Sequence, residues 1–146
     1  MEAAQAICDF VNTADLERGT DTLADSGARE VREAIRTLLR ANNGVSGDVA
    51  AASRLLDDAA RRAGLRVGFA DAALAFRPSE RSRVADVLTA LAETMADGSW
   101  SRLKACRSDT CQWAFFDAAR NHSRQWCDMA VCGNRAKARR YRTRHA

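Results

Sequence analysis

The sequence predicts an α+β fold, with a mainly helical N-terminal part that contains one short β-hairpin and a small C-terminal unit built around cysteines. Apolar residues recur at helical spacing in four N-terminal stretches. An alternating apolar pattern at 65–76 interrupts them, as expected for paired strands. Four of the five cysteines fall within 106–132. Because the turn residues Asp97-Gly98-Ser99 separate these regions, we predict one domain at 1–98 and another at 99–146.

Four amphipathic helices are predicted in the N-terminal part. Their apolar stripes are, in chain order, Ile7, Phe10, Val11 and Ala14; Val31, Ile35, Leu38 and Leu39; Val49, Ala52, Leu56, Ala59, Ala60 and Ala63; and Val84, Val87, Leu88, Leu91, Ala92 and Met95. Ser26 is the predicted cap of the second helix and Asp48 that of the third, since short polar side chains bind free N–H groups there. Pro78-Ser79 is predicted to start the fourth helix.

A short β-hairpin is predicted between the third and fourth helices. Leu65-Arg66-Val67-Gly68-Phe69 alternates with period two, and Ala73-Leu74-Ala75-Phe76 does so less cleanly. The turn is expected at Ala70-Asp71-Ala72.

The charge of the chain is distributed unevenly. Residues 1–101 carry 12 Lys and Arg against 16 Asp and Glu, a net charge of −4, whereas residues 102–146 carry 11 against 3, a net charge of +8. No acidic side chain follows Asp128. A block of one sign at one end favours an anionic partner, although a basic tail can also be merely solvated.

No membrane segment or export signal is expected. No stretch approaches the roughly 20 apolar residues of a transmembrane helix. The first ten residues lack a basic leader and a long apolar run, which argues against a signal peptide. The expected location is therefore the reducing cytoplasm, where clustered cysteines more often bind metals or do redox chemistry than form structural disulfides.

The cysteines have the spacing of a metal site: Cys106-x4-Cys111, fifteen further residues, then Cys127-x4-Cys132. Two disulfides or a redox pair are the alternative, but CxxxxC is not the usual CxxC redox spacing. Four thiolates leave no open coordination position for water, so one structural zinc ion (Zn2+) is predicted rather than a catalytic one. His122 is considered as a substitute ligand, and Cys8 is expected to be a buried free cysteine.

The order of elements around these cysteines is that of a treble-clef-like ββα zinc finger. A knuckle at 106–111 is followed by a strand at 113–117, a turn, a returning strand at 124–126, and a helix that begins near the second cysteine pair. Trp113, Phe115, Phe116 and Trp126 are expected to form a small core around the zinc, with base stacking as the alternative. Chelation is expected to unfold this unit while residues 1–97 remain folded.

The end of the chain is predicted to be a basic helix that contacts nucleic acid. Arginine and lysine at phosphates give affinity, and Arg, Asn or Gln are needed at base edges. The candidate contact residues lie in the turn of the finger and along the helix: Arg120, Asn121, Ser123, Arg124, Asn134, Arg135, Lys137, Arg139, Arg140, Arg142 and Arg144. Asn134 and Arg135 are in the first turn, where recognition helices often reach bases. A solvated, frayed tail is the alternative.

This region resembles the CGNR zinc-finger family. The name-giving motif is Cys132-Gly133-Asn134-Arg135, and the preceding pattern from Cys111 through Trp113, Phe115-Phe116-Asp117 and Ser123-Arg124 to Trp126-Cys127 also resembles that family. The segment Asp9-Phe10-Val11-Asn12-Thr13 resembles the opening of the ABATE domain that usually precedes this finger. Members are regarded as bacterial, stress-related transcription regulators, so the resemblance implies DNA binding.

The leading functional hypothesis is a zinc-dependent DNA-binding transcriptional regulator that is nucleoid-associated when bound to DNA. RNA binding by the same surface and a protein-interaction adaptor with a purely structural zinc are the alternatives. An enzyme is not expected, because residues 1–101 contain no histidine and no nucleophile–base pair. A small-molecule or protein ligand of the N-terminal domain and a homodimer are further arrangements that the sequence leaves open.

Overall fold

The computed structural model describes residues 1–146 and contains five α-helices with three two-stranded antiparallel sheets. The elements are, in order, α1 Glu2–Val11, β1 Ala14–Asp15, β2 Thr20–Asp21, α2 Ser26–Asn42, α3 Val49–Arg62, β3 Arg66–Ala70, β4 Ala73–Arg77, α4 Arg83–Ala96, β5 Leu103–Ala105, β6 Ala114–Phe116 and α5 Asn134–Arg144. A 3-10 turn at Ser99–Arg102 precedes β5, and a π-helical turn at Met129–Gly133 precedes α5. The α+β class is confirmed. None of the helices has both the length and the apolar character needed to cross a bilayer.

The helix boundaries differ from the sequence prediction in three places. Helix α1 ends at Val11, and Ala14, which was predicted in its apolar stripe, lies in β1 because it pairs with Asp21. Asp25, rather than Ser26, caps α2, because its carboxylate accepts a hydrogen bond from the Ala28 N–H at 2.6 Å. The prediction for α4 was also wrong at its start: the helix begins at Arg83 and is capped by Ser82. Ser79 instead ties the chain to the end of α3, because its backbone N–H donates to Ala63 O at 2.9 Å. Asp48 caps α3 as predicted.

The main core lies between α1, α2, α4 and the β5–β6 sheet. Its 18 buried residues include Ile7, Ile35, Leu39 and Leu103, each of which is fully buried. Removing such a side chain from water contributes about 1.5–3 kcal/mol. Cys8 belongs to this core as predicted, and burial raises the pKa of its thiol to about 11, which leaves it unreactive. The core therefore runs across residue 98, and the domain boundary there stays a prediction.

The β3–β4 hairpin has the predicted position and pairs Arg66 with Arg77 and Ala70 with Ala73. The sheet of the finger differs from the prediction. Strand β6 pairs with β5, which precedes the first cysteine, and the predicted strand at 124–126 is wrong. Side chains instead bind the carbonyls of that segment: Lys104 binds Arg124 O, and Asn43 binds Gln125 O.

Candidate metal centre and basic helix

The four predicted zinc ligands meet in one cluster. The sulfurs of Cys106, Cys111, Cys127 and Cys132 all lie within 4.8 Å of one another. The Sγ–Sγ distance is 3.5 Å between Cys111 and Cys127 and 3.8 Å between Cys127 and Cys132. Zinc–sulfur bonds of about 2.3 Å in a tetrahedron place sulfurs about 3.8 Å apart, so the donor set fits one zinc ion.

The chemistry of the thiols also fits a cation. Burial, with the neighbouring thiols, raises the pKa of Cys132 to about 12, and it raises the pKa of Cys127 well above the ordinary value. Four thiolates this close repel one another unless a divalent ion neutralises them. With four sulfur ligands, the zinc has no position open to water, and its role is structural.

The first cysteine pair is presented by the β5–β6 sheet. Cys106 continues from β5, and its N–H donates to Trp113 O at 2.9 Å, just before β6 begins. Cys111 closes the knuckle by donating its N–H to Ser108 O at 3.1 Å. Gln112 then turns the chain back with a positive φ of 54°. The sheet thus fixes both sulfurs relative to the core.

The second pair is presented by the turn before α5. Asp128 starts this turn by accepting the Ala130 N–H at 2.7 Å, and Cys132 lies near its end, two residues before the helix. A Cβ at Gly133 would lie 2.4 Å from the sulfur of Met129, so a larger residue there would require the exposed Met129 side chain to move. Zinc binding to Cys132 would therefore fix the turn that leads into α5, two residues before the helix begins.

Polar side chains of the N-terminal helices dock the finger. Asn12, in the segment that resembles the ABATE opening, donates to Ala114 O at 3.0 Å and accepts from Ala114 N at 2.8 Å. Asn43 donates to Ala105 O and Gln125 O at 2.9 and 2.8 Å. Arg36 bridges Gln112 O and Val11 O at 2.8 and 3.1 Å. These bonds tie the first knuckle, 106–111, and the chain that leads into the second knuckle, 127–132, to α1 and α2.

No sequence pattern predicts the docking role of these residues. Asn42 and Asn43 lie at the end of α2, and the Asn42 amide donates to Trp100 O and Leu103 O. Two adjacent amides at a helix end were the available signal, since buried amides need several partners. Their partners, however, are backbone groups 58 to 82 residues away, which no local pattern identifies.

A buried ion pair organises the loop between the cysteine pairs. Lys104 Nζ lies 2.7 Å from Asp117 Oδ2 and also donates to His122 O and Arg124 O. Asp117 is fully buried and accepts the N–H groups of Ala119 and Arg124. Burial alone would raise the pKa of Asp117, but Lys104 and these N–H groups hold it below its ordinary value.

The loop exposes all four predicted contact residues, but the guanidinium of Arg124 is turned toward the protein. Arg120, Asn121 and Ser123 are exposed, and Ser123 donates to the Asn121 side chain at 2.7 Å. Arg124 is exposed too, but its guanidinium donates to Trp126 O and Cys127 O and lies 4.6 Å from the Phe115 ring centre. Arg124 therefore braces the second knuckle in this conformation. His122 is not among the clustered ligands.

The four aromatic residues of the finger do not form one small core. Phe116 packs against the main core, and Trp126 packs against the cysteines. Phe115 is buried, whereas Trp113 is partly exposed and lines a cleft beside Cys111, Cys127 and Cys132.

Helix α5 projects from the centre with a single buried residue, Ala136. Asn134 and Tyr141 are exposed: the Asn134 amide donates to Ala130 O at 3.1 Å, and the Tyr141 ring stacks on His145. The helix carries six basic side chains and no acidic one, and all six are exposed: Arg135, Lys137, Arg139, Arg140, Arg142 and Arg144. Only Arg135 forms an ion pair within the chain, with Glu17 at 2.7 Å.

Glu17 reaches Arg135 from the turn between β1 and β2. That turn is held by Arg32, which is nearly buried and binds both oxygens of Asp21 at 2.7 and 2.9 Å. These hydrogen bonds keep the pKa of Asp21 far below its ordinary range. The N-terminal part thus supplies a carboxylate to the first turn of the basic helix.

Residues 102–145 match the model of the CGNR zinc finger family. The match spans both cysteine pairs and α5, and it covers less than a third of the chain. It agrees with the resemblance seen in the sequence for this part, and the ABATE resemblance of residues 9–13 stays a prediction. No curated protein matches the chain.

Proposed function

We propose that the chain is a DNA-binding transcriptional regulator in which a structural zinc ion fixes the basic helix α5 for contact with duplex DNA. The observation that carries this proposal is the unpaired positive charge of α5. Five of its basic side chains, Lys137, Arg139, Arg140, Arg142 and Arg144, have no acidic partner in the chain. Like charges three and four residues apart destabilise an isolated helix. A polyanion relieves that repulsion and also gains affinity by releasing counterions.

The two candidate regions have different roles in this proposal. Asn134 and Arg135, in the first turn of α5, contact bases, and the later arginines contact phosphates. Arg120, Asn121 and Ser123 in the exposed loop add phosphate contacts, whereas Arg124 supports the zinc knuckle. Because zinc has four cysteine ligands and the finger has no open metal position, the site supports no catalytic role. The protein acts in the cytoplasm, where its thiols stay reduced, and joins the nucleoid when bound to DNA.

Selection from a random duplex pool tests the function, with a single-stranded RNA pool as the control. We expect certain duplex sequences to be enriched. A plot of the logarithm of the association constant against the logarithm of salt concentration should have a slope of several units, at about 0.9 per phosphate contact. Asn134→Ala or Arg135→Ala relaxes sequence preference, by about 1–3 kcal/mol for a good base contact. Arg142→Ala weakens all sequences about equally.

Two outcomes would replace the proposal. Enrichment in the RNA pool alone makes the chain an RNA-binding module. If the zinc-loaded protein shifts no duplex and no RNA at low salt, the finger is a support for protein interaction, and α5 then docks on an acidic partner.

A further inference from the structure

The outer edge of strand β3 is an unprotected surface. The register pairs Val67 with Phe76 and Phe69 with Leu74, so these four side chains share one face of the β3–β4 hairpin. Val67 is 67% exposed, Phe69 78% and Leu74 52%. Natural edge strands are usually protected by lysine, proline or a bulge. Between Val67 and Ala70 this strand has none of them.

The backbone of β3 offers free hydrogen-bonding groups along that edge. The hairpin turns at Asp71 and Ala72, both with positive φ, which is the geometry of a two-residue type I′ loop. The flanking pair Ala70–Ala73 exchanges hydrogen bonds in such a loop, so Val67 and Phe69 direct their N–H and C=O groups outward. Neither residue makes a hydrogen bond to a loop, turn or side chain.

We propose that this edge pairs with the same edge of a second copy of the chain, in antiparallel orientation about a two-fold axis at Gly68. In this register Val67 of each copy lies opposite Phe69 of the other copy, and the two residues exchange backbone hydrogen bonds. The pairing also aligns an aromatic with a β-branched side chain, which is a favourable cross-strand combination. Gly68 lies opposite its own copy, and a Cβ there would meet nothing within 4 Å. The two hairpins form one four-stranded sheet.

The charges at the two ends of β3 suit this occupant. Arg66 begins the strand and Asp71 follows it, and neither has an ion-pair partner within the chain. The two-fold register sets Arg66 opposite Ala70 of the other copy, directly beside that copy's Asp71. Each dimer therefore gains two Arg66–Asp71 contacts, and the two Arg66 side chains lie at opposite ends of the interface. An unrelated partner would need to reproduce both charges and the spacing.

The area indicates a weak dimer. Pairing along the edge of one five-residue strand covers the backbone and the flanks of Val67 and Phe69 but not the face of the sheet, so it buries far less than the roughly 800 Å² per partner of stable complexes. Dimerisation should therefore depend on protein concentration, in the micromolar range or above, and it does not require DNA. This inference stands independently of the proposed function.

Sedimentation equilibrium of the zinc-loaded full chain, at about 5–500 µM without DNA, tests the edge. We expect the mean mass to rise toward that of a dimer. Phe69→Pro removes an outward N–H without breaking the hairpin ladder, and it should raise the dimer dissociation constant at least tenfold. Leu74→Pro makes the matched change on the outer edge of β4, and it should change the dimer dissociation constant by no more than about threefold. A monomer throughout, or an equal loss in both variants, overturns the proposal.

A charge exchange tests the register without altering the strands. Asp71→Lys and Arg66→Glu should each weaken self-association, because each creates two like-charge contacts. An equimolar mixture of the two variants should associate at least threefold more tightly than either variant alone, since each interface contact in the mixed dimer is then between opposite charges. A mixture that associates no more tightly than its components overturns the antiparallel pairing. Thermal melts of all variants confirm that they are folded.

Discussion

The ion pair between Glu17 and Arg135 restrains one residue that we expect to contact bases. The pair is exposed, and such pairs contribute little to stability, about 0–1 kcal/mol. Its effect should therefore appear in binding. We predict that Glu17→Gln raises duplex affinity about two- to fivefold and steepens the salt slope by up to about one unit, because Arg135 becomes free for DNA.

Fluorescence anisotropy over a salt series measures both quantities for Glu17→Gln. Glu30→Gln is the matched control, since Glu30 is an exposed glutamate of α2 without an ion pair and the change in net charge is the same. Equal effects of the two variants would show that Glu17 acts only through net charge. A loss of affinity in Glu17→Gln alone would mean that the carboxylate orients Arg135 for its contact.

Asp117 is the residue whose loss should cost most stability within the finger. Asp117→Ala leaves the Lys104 ammonium buried with only two carbonyl partners. Breaking a buried pair from one side costs about 3–5 kcal/mol. Urea unfolding of the zinc-loaded protein should show this loss, whereas Asp109→Ala, which removes a carboxylate that is 88% exposed, should cost far less. Similar losses in both variants would contradict the role given to the buried pair.

The same pair predicts a pH dependence. The pKa of Asp117 is lowered in the folded state because Lys104 and two N–H groups outweigh burial. Its stabilisation is therefore complete above the unfolded pKa of about 3.9 and is lost as pH falls through the lower folded value. We predict that the difference in unfolding free energy between the native chain and Asp117→Asn shrinks as pH falls below 4. Zinc loss in acid affects both chains, so the difference isolates Asp117.

At the scale of elements, zinc holds the second knuckle and α5 more directly than it holds β5 and β6. Leu103, Ala105 and Ala114 are buried in the main core, whereas α5 buries only Ala136. The sequence suggested that chelation unfolds the whole finger. The contacts instead predict that a zinc chelator exposes 127–146 to rapid hydrogen exchange while β5 and β6 stay protected. Hydrogen exchange followed by mass spectrometry distinguishes unfolding of the whole finger from exposure of 127–146 alone. Equal loss of protection in β5 and α5 would favour unfolding of the whole finger.

Elements with a strong local signal were predicted well from the sequence. The apolar stripe of Val31, Ile35 and Leu39 predicted α2, and the spacing of the cysteines predicted the metal cluster. The missed features depend on distant backbone groups. Strand β5 is short and has no alternation of its own, and it is identified as a strand only by pairing with β6. The segment 124–126 looked like a strand locally, but Lys104 and Asn43 take up its carbonyls.

At the scale of the whole molecule, the acidic and basic regions are joined by side-chain contacts that range from exposed to buried. Arg40 binds Asp109 of the first knuckle at 2.6 Å, and Arg36 binds Gln112 O. Together with Asn12 and Asn43, these bonds fix the orientation of the finger on α1 and α2. The direction in which α5 points is thus set by both zinc and the N-terminal helices, and a change in the packing of α1 or α2 would reach the basic helix through these contacts.

The shared core also predicts that residues 1–98 do not fold to full stability alone. A fragment that ends at 98 lacks Leu103, Ala105 and Ala114, and loses the partners of the Asn12, Asn42 and Asn43 side chains. We expect fragment 1–98 to melt broadly and at lower temperature than the full chain. Fragment 1–118 with Cys106→Ser and Cys111→Ser keeps β5 and β6 without a metal site, and it should recover a cooperative transition. Circular dichroism melts compare the two. A sharp transition of 1–98 at the temperature of 1–118 would show that the predicted boundary at residue 98 separates two independently stable domains.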